Sequence, residues 1–277
     1  MEMTLWLWLP LLASASVSSP PLYPFGQRDL TVTRLADVEP PCLVNGCALR
    51  RSRTARVLMR HWNVRRSGFV DDDELAGVGK EKTYGEVTIL GARQLAHAWQ
   101  LSTDSPHSAV FADLGSGVGK LSAQMYLDNS AVLRSVGIEL SAMRHARGVS
   151  SLAALRDSPD GTMLNHADSI TLLHGDALSV PVDAIRDVTH VYIAALCFST
   201  PLLARFGAEL ANRSRYRALR HVASLRRMAQ LAPSAGWREA PYPIELQVTW
   251  GSARAYLYSR SLGPNLEGSP SGEGDEL

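Results

Sequence analysis

The chain has 277 residues, of which 45% are hydrophobic, and its formal net charge at pH 7 is +1. This composition is typical of one globular α/β domain with extensions. The hydrophobic fraction is high enough for a sizeable core, which excludes a fully disordered polar protein. The near-neutral total conceals a segregated charge. No Asp or Glu lies between Glu39 and Asp71, whereas seven arginines lie between Arg50 and Arg66.

The first residues contain an apolar run, Leu5 to Ala13, which three small residues follow. This order is typical of a secretory signal peptide. Glu2 and the lack of an early Lys or Arg argue against that interpretation, and Pro10 interrupts a run that is too short to span a bilayer. A cleaved targeting segment, a disordered start and a wrongly chosen start codon all stay open. We expect residues 1–47 to form a largely disordered leader and no membrane span.

Residues 48–82 form an Arg-rich basic arm, in which residues 48–66 have the apolar spacing of a short amphipathic helix. Such a segment suits a surface for phosphate backbones or acidic protein, part of a transit peptide, or a solvated helix face. Its candidate nucleic-acid contacts are Arg50, Arg51, Arg53, Arg56, Arg60, Arg65 and Arg66.

Three cysteines, Cys42, Cys47 and Cys197, are too few and too irregularly spaced for a predicted framework of disulfides. Because no histidine cluster accompanies them, the sequence predicts no zinc site and no other metal site.

Strand and helix patterns alternate after Lys82, which indicates a parallel sheet with helices on its faces. A Gly/Ser-rich and acidic tail, residues 263–277, is predicted to be disordered. The predicted strands are Tyr84 to Thr88, Ala109 to Asp113, Ser135 to Glu139, Ile170 to Leu173, Val188 to Ile193 and His221 to Leu225, and the helices are Leu90 to Leu101, a helix beyond Lys120, Ser141 to Arg156 and Leu202 to Ala211. A hairpin of Glu245 to Trp250 and Ala253 to Tyr258, turning at Gly251 and Ser252, ends the domain.

A glycine turn, Gly115, Gly117 and Gly119, follows the strand that ends at Asp113. In open α/β sheets such a turn lies at the ligand site, where glycines let a ligand approach the main chain. The spacing fits neither a Walker A loop nor the dinucleotide fingerprint, whose third glycine stands one residue later.

Two more acids stand at the next two strand ends, because Glu139 ends the second strand and Asp176 follows the third. Glu139 is placed to accept hydrogen bonds from two ribose hydroxyls, and Asp176 is placed to bond an adenine amino group. Each acid could also have a structural role that needs no ligand. Asp113 could cap a helix, Glu139 could be a solvated charge, and Asp176 could be a turn residue. Their occurrence at successive strand ends favours a nucleoside-containing ligand.

The order of these motifs resembles the disruptor-of-telomeric-silencing class of histone H3 lysine methyltransferases, which lack a SET domain. The segment YGE at Tyr84, the segment DLGSGVG at Asp113, the segment GIE ending at Glu139 and the strands VTW and AYL near the C-terminus carry the resemblance. It implies a Rossmann-like class I methyltransferase domain over residues 83–262, with a seven-stranded, mostly parallel sheet and a C-terminal antiparallel hairpin.

The resemblance further implies that S-adenosylmethionine is the cofactor and that histone H3 in nucleosomes is the partner, in the nucleus. Phe198, Trp250 and Tyr256 would line a channel for the target lysine. The residues implied to hold the cofactor are Tyr84, Glu86, Thr88, Asp113, Gly115, Gly117, Gly119, Glu139 and Asp176. A methyltransferase of another protein, an RNA or a small molecule, and an inactive cofactor-binding chromatin module, are the alternatives. A secretory or organellar location is the alternative to the nucleus.

The chain departs from the family in the fourth-strand motif, where the family's V-N-N-F-A-F is replaced by I-A-A-L-C-F at residues 193–198. Ala194 and Ala195 therefore lack the family's amides, which help to position the methionine end and the substrate. An aromatic residue after the Gly-Asp pair is replaced by Ala177, and a glutamine after the last glycine is replaced by Lys120.

Overall fold

The computed structural model describes residues 39–42, 46–62, 85–101 and 109–260. The helices are α1 (Cys47–His61), α2 (Ile89–Ala98), α3 (Lys120–Asp128), α4 (Ala142–Arg156) and α5 (Thr200–Ala211). The strands are β1 (Ala109–Leu114), β2 (Val132–Glu139), β3 (Ile170–His174), β4 (His190–Ile193), β5 (His221–Ser224), β6 (Arg238–Glu239), β7 (Ile244–Val248) and β8 (Gly251–Ser259). Short 3₁₀ turns include Ala195–Cys197.

The strands form one sheet in the order β3-β2-β1-β4-β5-β8-β6, with β7 paired to the other end of β8. Strands β1 to β5 are parallel, and β8 runs antiparallel to its neighbours. The predicted α/β fold with a mostly parallel sheet and a C-terminal hairpin is confirmed. The sheet has eight described strands rather than seven, because the two-residue strand β6 is too short to leave an alternating pattern in the sequence.

The hairpin turns two residues earlier than the sequence predicted. Val248 pairs with Gly251, so the turn is formed by Thr249 and Trp250. The expected turn residue Gly251 instead begins β8 with a φ of 130°, a conformation that glycine tolerates. The strand expected around Glu86 reduces to one isolated bridge between Val87 and Val248.

Two apolar cores cover the two faces of the sheet. On one face, Phe111 and Tyr192 pack with residues of α1, α2 and α3. On the other face, Ala112 and Val191 pack with residues of α5. All six residues of β1 are buried, as expected of a central parallel strand.

Helix α1 lies in the basic segment and packs against α3 and α4. Its buried side includes Val57 and Leu58, and the indole Nε1 of Trp62 donates a hydrogen bond to the Val118 carbonyl at 2.8 Å. Cys42 and Cys47 form a disulfide at the start of this helix. The sequence analysis predicted no disulfide framework, and it did not find this single pair, because a separation of 5 residues matches no common motif.

Several predictions fall outside the described residues. They concern Tyr84, Arg65, Arg66, the leader before residue 39 and the tail 263–277. Within the ranges that the structure describes, no helix has the length and apolar character needed to cross a membrane.

Candidate active site

A cavity of about 330 Å³ opens at the carboxyl edge of the parallel strands. It is walled by the glycine turn after β1, the ends of β2, β3 and β4, and the tip of the hairpin. The predicted residues that line it are Glu86, Asp113, Gly115, Gly117, Glu139, Asp176, Phe198 and Trp250. One cavity thus brings together most of the site residues that the sequence singled out.

Three predicted residues are not among those that line this cavity. The Thr88 hydroxyl caps α2 by accepting from the Gly91 amide at 3.1 Å. Gly119 begins α3 in the left-handed region at φ 73°, and a Cβ there would meet the Leu172 side chain at 2.6 Å. Tyr256 packs against the same apolar core as Phe198, and the Arg227 guanidinium lies 5.3 Å from the centre of its ring.

The glycine turn is held against the end of β2. The amides of Gly115 and Ser116 both donate to the Ile138 carbonyl, at 2.8 and 2.9 Å. Gly115 has a φ of 89° and is exposed to the cavity. Because a side chain is strained at this φ, glycine is required there, and the bare main chain becomes part of the cavity wall.

Glu139 is buried, and both of its carboxylate oxygens accept backbone hydrogen bonds. The Gly117 amide donates to Oε2 at 2.7 Å and the Ser141 amide donates to Oε1 at 2.8 Å. Each oxygen keeps a second lone pair for a ligand hydroxyl. The two amides therefore fix a carboxylate that can bind a diol such as a ribose.

Asp113 is 4% exposed and ends β1 in the middle of the sheet. Burial raises the pKa of its carboxyl to about 8, and the neighbouring Glu139 charge contributes to the rise. Both influences disfavour the ionised form, and a cation placed beside Asp113 would reverse them. The site is therefore suited to a ligand that carries a positive group near β1.

Asp176 follows β3 and is exposed at the edge of the cavity. Its Oδ1 accepts from the Leu178 amide at 2.9 Å. This bond holds the carboxylate in a turn beside Ala177, which also lines the cavity.

A buried ion pair, which the sequence analysis did not predict, joins two walls of the cavity. The Lys120 Nζ lies 2.9 Å from the Glu86 Oε2, and both side chains are less than 10% exposed. Glu86 precedes α2, and Lys120 begins α3. The signal available in the sequence was the lysine directly after the last glycine of the turn.

Aromatic side chains also line the cavity. Phe198 is half-buried, and its carbonyl accepts a hydrogen bond from the Arg226 guanidinium. Trp250, at the tip of the hairpin, is 51% exposed. A Cβ on Gly85 would fall inside the Trp250 indole, so this glycine leaves the space in which the indole lies.

The residues present fit S-adenosylmethionine on their own chemistry. The buried Asp113 carboxyl suits the ammonium group, the fixed Glu139 carboxylate suits the ribose hydroxyls, and Asp176 lies where it can accept from an adenine amine. Nothing in the cavity resembles a phosphate cradle of the Walker type, in agreement with the spacing of the glycines.

Residues 76–157 match the family model for the histone methylation protein DOT1. No curated protein matches the chain. The family match covers the glycine turn and the Glu139 strand end, and its bounds also include the residues around Glu86.

Several solved structures are similar at low identity. The methyltransferase domain of METTL16 is 12% identical, with 77% of this chain and 80% of that chain covered and a TM-score of 0.44. TrmK of M. capricolum in complex with S-adenosylhomocysteine is also 12% identical, with 58% and 66% covered and a TM-score of 0.41. The tRNA methyltransferase TrmK of B. subtilis is 14% identical, with 59% and 64% covered and a TM-score of 0.40.

The assignment rests on the DOT1 match and on the cavity at the strand ends. Together they support a Rossmann-like methyltransferase whose cofactor is S-adenosylmethionine.

Proposed function

We propose that the protein transfers a methyl group from S-adenosylmethionine to a protein lysine, and that this lysine belongs to histone H3 in nucleosomes. The observation that carries the proposal is the mixed lining of one cavity. Buried carboxylates, Asp113 and Glu139, and aromatic side chains, Phe198 and Trp250, line the same cavity.

The aromatic side chains of the cavity suit a lysine side chain. The bound cofactor supplies an electrophilic methyl group on a sulfonium, which a neutral amine attacks in line. Phe198 and Trp250 would exclude water from the amine, which lowers its pKa and aligns it. Their ring faces can also hold the charged methylated product by cation–π contact.

Incubation of the protein with labelled cofactor and recombinant nucleosomes, free histones or total RNA tests this proposal. We expect label on histone H3 and its loss in Trp250→Ala. Tyr242→Ala is the matched control, since Tyr242 is also a highly exposed aromatic residue but does not line the cavity. Label on RNA alone would contradict the proposal.

A nucleic-acid acceptor is the second candidate, and two observations favour it. Arg205 is exposed and lines the cavity, where a phosphate could pair with it. Ala194 also lines the cavity, in place of the amide that the histone methyltransferase family has there. The aromatic side chains of the same cavity would also suit a splayed base. Cofactor binding without turnover on any fraction would instead favour an inactive cofactor-binding module.

We further propose that the exposed arginines of α1 contact nucleosomal DNA. Arg50, Arg56 and Arg60 are exposed, and Arg53 is half-buried. The prediction does not hold for Arg51, which is buried and donates to the Pro40 carbonyl. A nuclear location accompanies this proposal. A secretory or organellar location is the alternative, and microscopy of the native protein distinguishes them.

A further inference from the structure

Tyr192 lies on β4 and lines the cavity beside Asp113. The two residues are direct partners in the register of β1 and β4, and their side chains therefore share one face of the sheet. The Tyr192 side chain is 2% exposed. Among the described residues, its hydroxyl has no hydrogen-bond partner.

A buried hydroxyl without a partner is unfavourable, since water satisfies it in the unfolded chain. Phenylalanine has the same ring and avoids this cost. The hydroxyl of Tyr192 therefore needs a partner that is bound rather than built in. Ala194, two residues along and so on the same face, leaves room beside it in the cavity wall.

We propose that Tyr192 is a positioning residue whose hydroxyl donates a hydrogen bond to the carboxylate of the cofactor's amino-acid end. Asp113 accepts from the ammonium of the same group. The cofactor's amino-acid end carries one positive and one negative charge, and the two facing residues offer one acceptor and one donor. The proposal rests on S-adenosylmethionine being the cofactor.

The test compares two Tyr→Phe variants by calorimetry and thermal unfolding. In Tyr192→Phe we expect the affinity for S-adenosylmethionine to fall about tenfold, while the Tm of the free protein stays equal or rises. The matched control is Tyr126→Phe. Tyr126 is 5% exposed, and its hydroxyl accepts from the Asn165 amide at 3.1 Å. We expect this control to lower the Tm and to leave the affinity unchanged.

Two cofactor fragments locate the contact. S-adenosylhomocysteine keeps the amino-acid end, so it should bind Tyr192→Phe about tenfold more weakly than the unchanged protein. 5′-Methylthioadenosine lacks that end and should bind both proteins equally.

Three results would overturn the inference. Equal binding of S-adenosylhomocysteine to both proteins, a Tm loss in Tyr192→Phe like that of the control, or weaker binding of 5′-methylthioadenosine would each assign the hydroxyl another role. If the unchanged protein binds neither S-adenosylmethionine nor S-adenosylhomocysteine, the cofactor assignment itself is wrong, and this inference fails with it.

Discussion

The carboxyl group of Asp113 is expected to change its charge when a cation enters the cavity. Its pKa of about 8 in the free protein means that it is mostly protonated at pH 7. Pairing with the cofactor ammonium favours the ionised form, so binding should release close to one proton. Calorimetry in buffers of different ionisation enthalpy measures this release. Asp113→Asn should bind more weakly and without proton release, and an unchanged buffer dependence in that variant would contradict the role of Asp113.

Methylation should be sensitive to the addition of a single methyl group at Gly85. In Gly85→Ala the new methyl group displaces the Trp250 indole from the mouth of the cavity. Because the indole is half-exposed and free to move outward, we expect a stability loss of only about 1 kcal/mol but a large loss of methylation. Cofactor affinity should stay within about threefold, or about 0.65 kcal/mol, because the substitution leaves Asp113 and Glu139 unchanged. Equal activity of Gly85→Ala and the unchanged protein would show that the position of Trp250 does not matter.

The strand-end acids were predictable because the alternation of strand and helix patterns along the sequence shows where each strand ends. Asp113 and Glu139 end predicted strands and Asp176 follows one, and parallel strands end at one edge. Lys120 and Tyr192 were not predicted as site residues. Their importance depends on burial and on partners far along the chain, such as Glu86, which no local pattern encodes.

The segment before α2 is attached to α3 by the ion pair of Glu86 and Lys120. Lys120→Ala removes the cation from a carboxylate that is 8% exposed, and we expect a destabilisation of about 3–5 kcal/mol. The double variant Glu86→Gln with Lys120→Met should be clearly more stable than Lys120→Ala, because no buried charge remains. Denaturant unfolding measures both.

Arg134→Ala is the control for this ion pair. Arg134 and Asp187 lie 2.6 Å apart, but the Asp187 side chain is 51% exposed. Loss of such a surface pair should cost about 1 kcal/mol or less. A similar cost for Lys120→Ala would mean that the ion pair does not hold the two elements together.

Element types were predicted better than element ends. The helix of the basic segment was predicted from its apolar spacing, and α1 ends at His61. The next residue, Trp62, donates a hydrogen bond to the Val118 carbonyl in the glycine turn. The hairpin turn was misplaced because glycine and serine were taken as the turn residues. In the fold, the indole of Trp250 lies over Gly85 and the Val87 bridge holds Val248, so the turn forms at Thr249 and Trp250.

At the scale of the whole molecule, two stacked imidazoles make stability depend on pH. The rings of His190 and His221 lie 4.5 Å apart on adjacent strands, and the Trp99 ring contacts His190. Burial, with a contribution from Arg220, lowers the pKa of His221 to about 4, and burial together with His221 and Arg220 lowers the pKa of His190.

Histidines with lowered pKa values stabilise the fold only while they are neutral. The unfolded chain binds more protons between about pH 6.5 and pH 4, so stability is complete above pH 6.5 and falls as the pH drops through this window. For His221 alone, the loss is about 3 kcal/mol. Denaturant unfolding at pH 7 and pH 5 should show a smaller loss in His221→Phe than in the unchanged protein. The exposed His166→Phe is the control, and equal losses in both variants would contradict the role of the stacked pair.

The redox state of the disulfide between Cys42 and Cys47 depends on the compartment in which the protein resides. Disulfides persist in oxidising compartments and are reduced in the cytosol and nucleus. Protein isolated under acid and treated with an alkylating agent would gain adducts on both thiols if it came from the nucleus. Protein from the secretory route would gain none on this pair. The mass of the peptide that contains residues 42–47 therefore reports the compartment directly, and with it the class of acceptor that the enzyme can meet.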